Sequence, residues 1–213
     1  MGDLMLNQQE GYVQYNIEFY RKMANRYDII SERILSKLRQ TVVEISEIKK
    51  GEKVLDLCTG TGQAAEWFAK SGCQVVGVDL SRDMLRIARI KRKHITFREM
   101  DSSRLSFADN SFEVVNIQLG LHDMPLQVIR RTLLEIRRVA KKRVIIAEPY
   151  APKNWIMKNI FRYITFPEFA EASDWLGYTK LDLKGEIETS GFTIEKETRF
   201  AWGLVRIYKC LPE

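Results

Sequence analysis

Four short stretches of this chain carry residue types that could do chemistry together. Asp56-Leu57-Cys58-Thr59-Gly60-Thr61-Gly62 combines a carboxylate, hydroxyls and two closely spaced glycines. Glycines so placed let a backbone turn sharply and approach a ligand where a Cβ would clash. Asp79 closes the apolar run Gln74-Val75-Val76-Gly77-Val78, where its carboxylate could accept hydrogen bonds from both hydroxyls of a ribose. Asp101-Ser102 follow a third apolar run and could meet the edge of an adenine. His122-Asp123 offers a histidine with a carboxylate neighbour, the arrangement of a general base. Its alternatives are a polar loop residue or a hydrogen-bond donor to a substrate. The second histidine, His94, lies in the basic run Lys91-Arg92-Lys93-His94 and reads as surface.

Each piece alone is a weak signal; their order along the chain gives them weight. Val54-Leu55-Asp56-Leu57 reads as a buried strand, residues 64–70 as the helix after it, and residues 74–78 as a second strand. Ser81 suits the cap of a helix carrying Met84, Leu85, Ile87, Ala88 and Ile90. Residues 95–99 and 112–117 give two more strands, Pro125 opens a further helix, and residues 143–147 form a fifth strand. Ahead of them, apolar residues from Ile29 to Ile45 recur at helical spacing, and Gly51 suits the turn that follows.

Strands alternating with helices predict a parallel sheet covered on both faces. After a helix over 181–189, residues 193–200 and 204–210 are two strands with only a short turn between them. Such a pair must run antiparallel, because a parallel connection needs a crossover of a dozen or more residues. The predicted fold is therefore α/β, a mostly parallel seven-stranded sheet with an antiparallel end. The glycine stretch, Asp79 and Asp101-Ser102 then converge on one crevice at the carboxyl ends of the strands, where open α/β sheets bind ligands.

Composition narrows the classes. The 213 residues suffice for one well-buried domain, and 45% hydrophobic with 29% charged residues describes a globular chain. No apolar run approaches the roughly 20 residues of a spanning helix. The first residues lack the pattern of a signal peptide, so a cytoplasmic location is expected. Three scattered cysteines and two histidines make neither a disulfide framework nor a metal site, so none is expected. The net charge of +6 admits anionic partners, nucleic acid included, although the runs Arg130-Arg131, Arg137-Arg138 and Lys141-Lys142-Arg143 read as solvated faces of helices.

These motifs resemble those of the class I methyltransferases that use S-adenosylmethionine (SAM), and within them the ubiquinone/menaquinone-biosynthesis C-methyltransferase group. The resemblance rests on the glycine stretch, on Asn25-Arg26-Tyr27-Asp28, and on Leu105-Ser106-Phe107-Ala108-Asp109-Asn110-Ser111-Phe112. Ile117-Gln118-Leu119-Gly120-Leu121, Glu148-Pro149 and Gly191-Phe192 extend it over nearly the whole chain. It implies the Rossmann-like class I methyltransferase fold, SAM as cofactor and S-adenosylhomocysteine (SAH) as product. Thr59, Gly60 and Gly62 would line the methionine moiety with Asp56 nearby, and Asp79 and Leu80 would hold the ribose end. Met84 would pack on the adenine, Asp101 and Ser102 would face it, Gln118 would close the site, and Tyr27 would cover it. Two departures stand out: Cys58 where many relatives carry Gly or Ala, and Lys141-Lys142-Arg143 in place of a Lys-Pro-Gly-Gly turn.

The resemblance also implies a single structural domain: an N-terminal helical lid over 1–50 and a core over 51–213 with a helical lid insertion near 152–180. The aromatic content of 152–180 would suit an apolar acceptor such as a quinone ring or, with Lys153, Lys158 and Arg162 interleaved, a peripheral contact with a membrane. Plain core packing is the third reading. A small-molecule or lipid methyltransferase leads; an RNA or protein methyltransferase, a non-catalytic SAM-binding subunit and an NAD-type oxidoreductase stay open. The last is admitted because Gly60-Thr61-Gly62-Gln63-Ala64-Ala65 also fits G-x-G-x-x-A. Acidic Asp56 sits awkwardly beside a pyrophosphate and counts against it.

Overall fold

The computed structural model describes residues 35–150, 178 and 180–213. Five of its strands are parallel: β1 (Lys53–Leu57), β2 (Gln74–Asp79), β3 (Thr96–Glu99), β4 (Phe112–Gln118) and β5 (Ala140–Pro149). β6 (Phe192–Phe200) and β7 (Val205–Pro212) follow, with β7 antiparallel to both β5 and β6. The order across the sheet is β3-β2-β1-β4-β5-β7-β6. The described part of helix α1 covers 35–46, followed by α2 (Gln63–Lys70), α3 (Arg82–Lys91), α4 (Leu126–Val139) and α5 (Leu183–Thr189).

Neighbouring residues of the central strands face opposite sides of the sheet, and both sides are covered. Leu55, Leu57, Ile117 and Ile146 point one way, into a core with Leu133 and Ile136 of α4 and Ile187 of α5. Val54, Val114 and Ile145 point the other way and meet Leu38 and Val42 of α1 and Phe68 of α2. That double burial is why the strands read as continuous apolar runs and not as alternating ones. Each fully buried aliphatic side chain contributes about 1.5–3 kcal/mol.

Element boundaries moved where a side chain intervened. Asp182 caps α5 through the Gly185 N–H at 3.2 Å, so the helix starts at Leu183 and not at residue 181. The basic run Lys141-Lys142-Arg143, expected on a helix, lies in β5, which begins at Ala140. Its charges are used: Lys142 and Arg143 both pair with Glu52, and Arg143 also donates to the Glu47 carbonyl at 2.6 Å. Arg138 likewise clamps the loop before β4, donating to the carbonyls of Phe107 at 2.6 Å and Leu105 at 2.9 Å. The excess charge of these runs is therefore partly structural.

Among the described residues, no helix is long and apolar enough to cross a membrane, and no group of His, Cys, Asp and Glu could hold a metal ion. Tyr27, most of the expected N-terminal lid and nearly all of the segment 152–180 lie outside the described residues.

Candidate active site

The loop leaving β1 is shaped by backbone conformation. Cys58 (φ 52), Gly60 (φ 55) and Gly62 (φ 85) are all left-handed. At Cys58 the departure noted in the sequence carries strain, since glycine meets this φ freely and cysteine does not. A Cβ on Gly62 would stand 2.6 Å from the Phe97 ring, so glycine is required there on steric grounds as well. Around Gly60 a Cβ would meet nothing, which leaves that stretch of backbone open to a ligand. From the end of α3, Arg92 fixes the loop by donating to the Thr61 carbonyl (2.8 Å) and to Glu66 (2.9 Å).

Asp79, at the end of β2, receives the Gly60 N–H on one carboxylate oxygen and the Ser81 N–H on the other, each at 2.8 Å. Burial raises its pKa, opposed by the N–H groups of Ser81, Gly60 and Leu80. Asp56 is more deeply set: Thr59 Oγ1 donates to it at 2.5 Å and Asn116 Nδ2 at 2.6 Å. Burial pushes its pKa up to about 6, against the two hydrogen bonds and the charge of Arg39. Gln118 extends this chain by donating to Asn116 Oδ1 at 3.2 Å. Past β3, Asp101 accepts the N–H and hydroxyl of Ser103, both at 2.8 Å, while the Ser102 hydroxyl meets that of Thr132 at 3.1 Å.

The structure gathers Asp56, Thr59, Gly60, Asp79, Leu80, Met84, Asp101, Ser102 and Gln118 around one crevice at the carboxyl ends of β1 to β4. Gly62 stands outside that lining, packed on Phe97. The crevice also takes in Arg39 of α1, which no sequence motif pointed to, and Asp123. Four carboxylates thus face the space, a setting suited to a ligand with positive charge. A pyrophosphate fits poorly. The N–H groups of Thr59, Gly60 and Gly62 that would have to receive it are engaged by Val78 O, Asp79 and Thr59 O. With the antiparallel β7, this sets the dinucleotide reading aside. Cys58 also lines the crevice; burial, with the nearby carboxylates, pushes its thiol pKa well up, so it is no nucleophile.

His122 occupies a 3-10 turn (Leu121–Asp123) just past β4 and is buried. Its Nδ1 lies 3.0 Å from Glu148 Oε2 and its Nε2 3.5 Å from Asp123 Oδ1. Burial alone would lower the ring's pKa, but Asp123 and Glu148 outweigh it and raise the value to about 9. That direction favours the charged ring at neutral pH, whereas a general base needs the neutral one. Glu148, fully buried at the end of β5, also accepts the N–H groups of Gly120 (2.8 Å), Leu121 (2.9 Å) and His122 (3.3 Å). It holds the whole turn that walls the crevice. In the sequence Glu148 appeared only inside a motif and Asn116 not at all. The available signal was a polar residue inside an apolar strand, which must find a partner.

Comparison with known proteins gives the family and the fold. Residues 54–143 match a family model described as a methyltransferase domain. The demethylmenaquinone methyltransferase of Thermobifida fusca is 36% identical over 223 residues, covering 91% of this chain and 93% of its own. That of Paenarthrobacter aurescens is 36% identical over 146 residues, but the match spans 65% of this chain and only 56% of that protein. Magnesium protoporphyrin IX methyltransferase from Synechocystis PCC 6803, solved with bound SAH, shares the fold at a TM-score of 0.64 and 19% identity, covering 85% of this chain and 83% of that one.

Proposed function

The chain belongs to the class I SAM-dependent methyltransferases, and on that premise we propose that it methylates a small, quinone-like aromatic acceptor. The observation that carries the reading is the acidic crevice at the ends of β1 to β4, whose loop N–H groups are turned inward to Asp79 and the backbone and not offered to a phosphate. Within it, Asp79 would hold the ribose hydroxyls, Asp56 and Thr59 the amino-acid end, and Met84, Asp101 and Ser102 the adenine. The choice of acceptor is supported by the Thermobifida fusca relative, a demethylmenaquinone methyltransferase similar along nearly the whole chain.

SAM brings a methyl group already activated by its sulfonium, so no metal is required. The protein's contribution is then alignment: an in-line displacement gains most from holding the reacting atoms collinear and close. Arg92 and Asp79 fix the loop, and Glu148 fixes the opposite wall, before any ligand arrives. An aromatic carbon acceptor must carry negative charge to react, and a ring oxygen that has lost its proton provides it.

The test is incubation with methyl-labelled SAM and a cell extract separated into lipid, small-molecule, RNA and protein fractions. Label is expected in the lipid or small-molecule fraction. Label confined to RNA or protein would overturn the choice of acceptor.

A further inference from the structure

Charge is shared unevenly between two recesses near the carboxyl ends of the strands. Beyond the His122 turn, a depression where β5 ends and β7 begins sets Glu148, Asp182 and Glu197 beside Lys184, Arg199 and Arg206, three charges of each sign. His122 is the partition: its ring lies 3.0 Å from Glu148 of the depression and 3.5 Å from Asp123 of the crevice. The crevice itself is lined by four carboxylates, Asp56, Asp79, Asp101 and Asp123, and, among the described residues, by one arginine or lysine, Arg39.

Helix geometry puts Arg39 there. Leu38 and Val42 pack with Val54, Val114 and Ile145 of the sheet, which fixes the rotation of α1. Residues four apart lie on one side of a helix, so Leu35 and Arg39 stand one above the other, and both line the crevice. Arg39 is only 7% exposed. Its charge reaches Asp56, at the root of the glycine loop, and opposes the burial that raises that group's pKa. Arg39 therefore serves the end of the crevice where Asp56 and Thr59 lie.

The cofactor is uneven in the same way. Its sulfonium and ammonium suit a ring of carboxylates, but its amino-acid end also bears a carboxylate, which four acidic side chains would repel. A guanidinium receives a carboxylate through two parallel hydrogen bonds, in a fixed planar fork. We propose that Arg39 binds the α-carboxylate of SAM and so selects ligands that carry a complete amino-acid end. This role rests on the orientation given above, with Asp79 at the ribose and Asp56 and Thr59 at the amino-acid end. It makes α1, which precedes the first strand, a part of the cofactor site.

The probes are SAH and S-adenosyl-3-thiopropylamine, the same molecule without its carboxylate, each titrated by calorimetry into the full chain. The wild-type protein should bind SAH about tenfold or more tightly than the amine, the difference expected for hydrogen bonds to a charged group. Arg39→Gln should lose that factor for SAH while its affinity for the amine does not weaken, so that the two ligands become nearly equal. Retained amine binding also shows that the variant is folded. Arg39→Lys keeps the charge without the fork and should recover part of the discrimination. Equal wild-type affinity for the two probes would overturn the assignment without any variant. So would an undiminished SAH affinity in Arg39→Gln, or the same fractional loss of both ligands. A wrong orientation looks different: Asp79→Ala would then leave SAH binding intact, whichever way Arg39 acts.

Discussion

The crevice at the ends of β1 to β4 and the depression between β5, β7 and β6 lie on either side of one histidine, yet they are built on opposite plans. In the crevice the carboxylates are satisfied: Asp79 by Gly60 and Ser81, Asp56 by Thr59 and by Asn116 of β4, Asp101 by Ser103. In the depression charged groups of β5, β6 and β7 meet across two antiparallel ladders, and one buried N–H of Arg206 is left without a partner. A pocket completed by its own backbone loses little freedom when its ligand binds. A buried donor left without a partner gives up stability.

That contrast can be broken most severely at Asp79. On the proposed reading, Asp79→Ala removes the acceptor for two ribose hydroxyls and releases the Gly60 N–H, so SAM affinity should fall by more than about 100-fold, the loss of two hydrogen bonds to a charged group. Circular dichroism should show the fold retained; unchanged SAM affinity by calorimetry would refute the ribose assignment.

The partition gives an intermediate effect with a pH signature. The folded-state pKa of His122 is raised to about 9, above its ordinary 6.5. Its charge therefore stabilises the fold fully below about pH 6.5, and this contribution is lost as pH rises through 9. Compared with the wild type, His122→Gln should show a lowered melting temperature near pH 6.5, and the gap should close by about pH 10. A gap independent of pH would show that the ring is not the cation linking Asp123 and Glu148.

The mildest test lies at the adenine end. Ser102→Ala removes one of two hydroxyls that meet in a buried position and should cost about 1 kcal/mol of stability. Its effect on SAM affinity should be no more than a few-fold, well short of Asp79→Ala. A loss as large as that of Asp79→Ala would place the tightest grip of the crevice on the base instead of the sugar.

The same contrast decides what could be read in advance. The sequence shows the crevice because its parts are local: a glycine loop, then one carboxylate after each of the next two strands, at spacings that the β-α-β repeat itself sets. Strand existence was equally legible, since double burial writes long apolar runs. What escaped was set by distant pairing. β5 runs through Lys141 and Lys142 because Glu52 waits beside them, and nothing near that run in the sequence says so. Arg39 enters the crevice from a helix with no motif, and the row Glu148-Arg206-Arg199 exists only once two antiparallel ladders are in register.

The outermost strand of the sheet brings one further consequence. Among the described strands β6 has a neighbour on one side only, and its register against β7 shifts between Ile194 and Lys196. A flat free edge would offer its unpaired backbone groups to another molecule. Here that irregularity and the charged sequence Glu195-Lys196-Glu197 spoil the template. At the opposite margin β3 is only four residues long. Among the described residues both borders of the sheet are thus poor templates for a strand of another molecule.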